Sequence, residues 1–89
     1  MLPALIDELI PALIQVESGG DDYAIGDDGK AVGCLQIWPI YLSDANRIYN
    51  LKYGTRPFFL KDRLDRSTSI HMAEIFLRHY GKAERVKPT

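Results

Sequence analysis

The chain has 89 residues and a mass of 10.1 kDa, and 46% of its residues are apolar, which suits one folded domain and argues against intrinsic disorder. Eleven Lys and Arg against twelve Asp and Glu leave a net charge of −1, so nucleic-acid binding through a basic field is not expected. The single cysteine, Cys34, excludes an internal disulfide framework and a multi-cysteine zinc site, and no apolar run reaches the roughly 18–20 residues of a membrane span.

The first predicted element is a helix. Leu2, Leu5, Ile6, Leu9, Ile10, Leu13 and Ile14 recur at three- and four-residue steps and form one apolar face. Pro11 falls within it, so the helix is expected either to kink there or to begin there after a short turn. Gly19 and Gly20 supply the stop. Asp7 and Glu8 interrupt the apolar stretch and no Lys or Arg precedes it, unlike a secretory signal. The N-terminus therefore reads as a mature or cytoplasmic start. A substrate outside the membrane would then require export by another route, or a phage origin.

The second element is a small hairpin. Tyr23-Ala24-Ile25 and Ala31-Val32 flank Asp27-Asp28-Gly29, and Asp-Gly favours a tight turn with positive φ at its central positions. Gly33-Cys34-Leu35-Gln36-Ile37-Trp38 follows. Pro39 then opens a helix expected to reach about Tyr49, with a loop from Tyr53 to Pro57. Phe58, Phe59 and Leu64 read as a short apolar anchor. In the last helix Ser67 or Thr68 is the expected cap, and Ile70, Ala73, Phe76, Leu77 and Tyr80 form one face. Gly81 is its expected end, with a polar tail from Lys82 to Thr89. Lys61, Arg63, Arg66 and Arg78 lie near acidic residues and read as a solvated surface.

Glu17 is the most informative position. It falls in the last turn of the first helix, where carbonyl groups disfavour a negative charge, and partial burial would act in the same direction. A carboxyl that keeps its proton near neutral pH can serve as a general acid. The alternative on position alone is a solvated glutamate near a helix end.

The order of the parts adds to this. Val16-Glu17-Ser18-Gly19 ends a helix, a hairpin follows, and then comes Gly33-Cys34-Leu35-Gln36-Ile37 with Pro39. This resembles the lysozyme-like family of lytic transglycosylases, with goose-type lysozymes as relatives, in which a Glu-Ser pair ends a helix and Gly-Leu-Met-Gln-Ile follows at a similar spacing. The resemblance covers roughly residues 10–80. It implies a mainly α fold with helices around a cleft and one small β-hairpin. It also implies that the substrate is the peptidoglycan glycan strand, cleaved at the β-1,4 bond between N-acetylmuramic acid and N-acetylglucosamine. Glu17 would act as acid and then as base, closing a 1,6-anhydro ring, with no metal or cofactor. Two features depart from the family pattern. No serine stands near Gly26 and Asp27, and the later Ala-Tyr-Asn or Asn-Gly-Gly type motif is missing. The chain is therefore read as a single domain lacking the C-terminal part of the family's domain.

Most glycosidases use two carboxylates, about 5–5.5 Å apart when retaining and about 6.5–9.5 Å apart when inverting. Asp27 and Asp28 could supply the second in a hydrolytic lysozyme mechanism, or could simply shape the turn. The aspartates at 21, 22, 27 and 28 do not have the spacing of an EF-hand calcium loop. Gln36 would contact substrate in the family, or hold the hairpin by hydrogen bonds. Ser18 would line the site or cap the turn. Trp38 and Tyr41 offer ring faces to sugars or are simply buried, and Tyr23 is a candidate cleft aromatic. Tyr80 is expected to pack with its hydroxyl at the cleft edge or in solvent. Cys34 reads as a small buried hydrophobe, since nothing in the sequence places His71 or His79 beside it as a base. The alternatives to an enzyme are a catalytically inactive glycan-binding or scaffold domain of the same fold, and a small helical interaction module.

Overall fold

Three isoleucines spaced four residues apart set the seat of the first helix. The computed structural model describes residues 2–86, with side chains described over residues 6–81. Helix α1 spans Leu2–Ser18 and buries Ile6, Ile10 and Ile14. The buried seam is narrower than the periodicity predicts, because Leu9 is exposed and Leu13 half-buried. Leu2 and Leu5 lie outside the residues with described side chains. Pro11 neither starts nor ends the helix. It sits on the solvent side, as does Asp7, whose carbonyl loses the Pro11 N–H as a partner; water can replace that bond.

A hairpin follows, with strands β1 (Ile25–Gly26) and β2 (Ala31–Val32) antiparallel and Ile25 opposite Val32; Tyr23 and Ala24, expected in the first strand, precede it. The connection is longer than an Asp-Gly two-residue turn. Asp27 and Asp28 both take positive φ, 51° and 57°, and the Gly29 N–H bonds to the Gly26 carbonyl across them. The turn's central pair is thus Asp27-Asp28, shifted by one residue from the Asp28-Gly29 pair.

Helix α2 spans Pro39–Tyr53, four residues beyond the expected end at Tyr49. Tyr49 and Tyr53 stack one turn apart with centroids at 4.5 Å, and left-handed Gly54 closes the helix. A 3₁₀ turn covers Leu60–Leu64, and helix α3 covers Arg66–Val86. The cap of α3 is Asp65. Its carboxylate accepts from the Thr68 N–H at 2.9 Å and from the Ser67 and Thr68 hydroxyls. Ser67 and Thr68 are therefore partners of the cap rather than the cap itself. Nor does Gly81 stop the helix, which continues to Val86; a glycine weakens a helix but does not break it.

Two apolar clusters hold these elements together. Ile6, Ile10, Ile14 and Cys34 pack with Ile70, Ala73 and Leu77, joining α1 to α3. Leu42, Ala45, Phe58 and Met72 pack with Ile37, Tyr49 and Ile75, joining α2 to α3. The expected anchor of Phe58, Phe59 and Leu64 reduces to Phe58 alone, since Phe59 and Leu64 are exposed. The tight 3₁₀ turn points Arg63 inward instead. The protein is mainly α-helical with one small β-hairpin. Among the described residues no helix is long and apolar enough to cross a membrane.

Candidate active-site groove

The end of α1 is built by Ser18. Its hydroxyl donates to the Ile14 carbonyl and accepts from the N–H groups of Gly20 and Asp21, each at 3.1 Å. This fixes the turn that follows Glu17. From the other side, Arg66 at the start of α3 pairs with Asp22 at 2.7 Å and donates to the Gly20 carbonyl. The last turn of α1 is thereby held against α3. Ser18 is a turn-capping residue, and it does not line the groove.

Glu17 emerges from that turn into a groove of about 410 Å³. The groove brings Glu17 together with Asp27 of the hairpin turn, Gln36, and the aromatic side chains of Trp38, Tyr41 and Phe76. Leu13, Leu35 and Leu77 complete much of its apolar floor. Tyr23 and Asp28 are not among the lining residues. Tyr23 stands 72% exposed, ahead of the first strand. The expected partial burial of Glu17 is not found, because its side chain is exposed at the rim.

Gln36 is held in a left-handed conformation with φ of 52°. Its side-chain amide donates to the carbonyls of Ala24 and Gly33, at 3.0 and 2.9 Å. A β-carbon at Gly26 would stand 2.7 Å from Gln36 Oε1, so the amide lies flush against the hairpin backbone. The structural alternative foreseen for Gln36 is therefore present, while the residue still forms part of the groove wall. Trp38 is half-buried rather than a core residue, and its indole N–H donates to Asp27 Oδ2 at 3.3 Å. The Lys30 ammonium stands 5.4 Å from the Trp38 ring centroid. One aromatic side chain thus links the turn that carries Asp27 to the start of α2.

Arg63 carries more of this wall than the sequence suggests. It is buried, and it donates to the carbonyls of Leu60, Lys30 and Ile37 at 2.9–3.0 Å. Its own carbonyl accepts from the buried Ser69 hydroxyl at 3.0 Å. Burial pushes the Arg63 guanidinium below its ordinary range. Arg66 likewise does structural pairing, whereas Arg78 makes, among the described residues, a long contact of 4.0 Å with Glu74. The missed signal at Arg63 is the convergence of main-chain carbonyls from Lys30, Ile37 and Leu60, which only tertiary structure reveals.

Cys34 is fully buried among Ile6, Ile10 and Ile14, and burial pushes its thiol up. His71 packs instead against Tyr49 and Phe58, and His79 against Tyr80. Among the described residues no group of three or more His, Cys, Asp or Glu could hold a metal ion. The groove therefore presents two carboxylates, an amide and three aromatic rings. Such a set can move protons and stack against flat apolar faces. Compared with protein-family models, curated proteins and solved structures, the chain matches none.

Proposed function

We propose that the protein cleaves the glycan strand of peptidoglycan at the β-1,4 bond between N-acetylmuramic acid and N-acetylglucosamine, with Glu17 as acid and base. The observation that carries this reading is the convergence on one groove of Glu17 from the end of α1, Gln36, Trp38 and Tyr41 from the stretch that opens α2, and Phe76 from α3. The sugar rings lie along the aromatic side chains. The bound strand covers the Glu17 carboxyl and excludes water from it.

Glu17 donates its proton to the glycosidic oxygen as the bond to the muramyl C1 breaks. The substrate's own acetamido group supports the positive charge at C1. The Glu17 carboxylate then takes the proton of the muramyl 6-hydroxyl, and that oxygen bonds to C1. The products are a free N-acetylglucosamine hydroxyl and a 1,6-anhydromuramyl end, with no water consumed.

A second reading is favoured by Asp27, which lines the same groove while Asp28 does not. With Asp27 as the second carboxylate, water would complete the reaction and leave an ordinary reducing end. Clearing of a peptidoglycan suspension tests both readings. The wild type is expected to clear it and Glu17→Gln to leave it turbid. Turbidity that falls equally with both proteins would remove Glu17 from the chemistry.

A further inference from the structure

The groove that carries Glu17 does not stop at Tyr41 and Phe76. Those two rings meet edge to face with centroids 5.7 Å apart, and they also line a second groove of about 540 Å³. The remaining wall of the second groove differs in character. Besides Ile40 it holds Ser43, Asp44, Arg47, Arg56 and Tyr80. Asp44 is already satisfied, accepting from the Tyr80 hydroxyl at 2.6 Å and from Arg47 Nε at 2.8 Å. Burial alone would raise the Asp44 carboxyl, but these two hydrogen bonds outweigh it and hold it below the usual carboxylate range. Asp44 and Arg47 therefore neutralise each other. Arg56 has no ion-pair or side-chain hydrogen-bond partner among the described residues. The second groove thus has an aromatic entrance shared with the first and, on its wall, the Arg56 guanidinium with no ion-pair partner among the described residues.

We propose that this second groove binds a carboxylate carried by the glycan substrate, with Arg56 as its principal partner. A planar guanidinium matches a carboxylate with two parallel hydrogen bonds, and the neighbouring Asp44–Arg47 pair adds no net repulsion. The inference rests on the glycan-strand reading of the first groove. N-acetylmuramic acid can supply the group in two ways, as its lactyl carboxylate when unsubstituted or as the carboxylates of an attached peptide stem. N-acetylglucosamine supplies none.

The test is calorimetric titration in the Glu17→Gln background, so that no ligand is cut. Three tetrasaccharides serve as probes: N-acetylglucosamine only, alternating muramic acid without stems, and the same with peptide stems. At least one muramyl probe is expected to bind more tightly than the all-glucosamine probe. Adding Arg56→Ala is expected to remove that advantage, about tenfold in affinity, while leaving the all-glucosamine probe unchanged. Arg56→Lys should restore part of it, and raised salt should weaken it. Advantage in the stem-free probe assigns the lactyl group, and advantage only in the stem-bearing probe assigns the stem. Equal affinity for all three probes, or an equal loss for all three in Arg56→Ala, would overturn the proposal while sparing the glycan reading. No binding of any probe would bring down both.

Discussion

Gly33 stands against the main-chain carbonyl of Arg63 so closely that a β-carbon there would overlap the oxygen. Gly33 also has φ of +90°, a conformation that L side chains rarely adopt. Its N–H donates to the Ala24 carbonyl at 2.8 Å, and its own carbonyl accepts from Gln36. The glycine is therefore the point where the hairpin, the Gln36 wall and the 3₁₀ turn meet. Gly33→Ala is expected to cost about 3 kcal/mol or more through overlap and backbone strain. Urea unfolding would show it. A midpoint within error of the wild type would contradict the close approach.

Arg63 closes the same junction from the other side. Arg63→Met keeps most of the volume but removes the guanidinium donor from the carbonyls of Lys30, Ile37 and Leu60, of which Ile37 retains the Val32 N–H. The expected loss is about 2–4 kcal/mol, read by thermal unfolding. Lysine has too few donors in the right plane, so Arg63→Lys should recover only a minor part.

The two turn aspartates separate function from strain. Both have positive φ, yet only Asp27 lines the groove and accepts from Trp38. Asp28→Gly is expected to be neutral or stabilising by up to about 1 kcal/mol, with cleavage unchanged. Asp27→Asn is expected to lower cleavage at least tenfold if the products carry ordinary reducing ends, as a lost acid–base group would. If the products are anhydro ends, the same variant should retain most of the rate. Initial rates of fragment release decide between them.

Stability should fall in acid for an identifiable reason. The hydroxyl of Thr68 first, then its N–H and the hydroxyl of Ser67, hold the Asp65 carboxyl below its ordinary range. A carboxyl lowered in the folded state stabilises above the unfolded value of about 4, and that contribution is lost as pH drops through the folded value. Wild-type melting temperature should therefore decline below about pH 4. Asp65→Asn should melt lower at neutral pH and show a shallower decline. Parallel curves for the two proteins would remove Asp65 as the titrating cap.

Much of this arrangement is legible in the sequence. The apolar periodicity of the first helix, the Asp-rich turn and Pro39 at the start of α2 are local signals; Pro39 lands where it predicts, while the buried seam narrows to Ile6, Ile10 and Ile14 and the turn shifts by one residue. What escapes is decided by distant partners. Arg63 looks like a surface cation until the carbonyls of Lys30 and Ile37 are brought to it from 33 and 26 residues away. Asn46 pins the main chain of Phe58 through both its amide N–H and its carbonyl, each at 2.9 Å, and no local pattern announces that. At the groove, the Glu17 and Gln36 motifs are local, whereas the choice of Asp27 over Asp28 depends on the left-handed turn and on the Trp38 indole.

The most direct test of the account is the mass of the fragments released from purified peptidoglycan by the wild type and by Glu17→Gln. The exposed Glu17 makes no hydrogen bond among the described residues that glutamine would break, so the variant should fold with stability within about 0.5 kcal/mol of the wild type. Wild-type digests are expected to contain muropeptides lighter by one water than hydrolysis products, the mark of a 1,6-anhydro end, and the variant is expected to release none. A folded wild type that releases no fragments, or a variant that releases the same fragments at the same rate, would contradict this expectation.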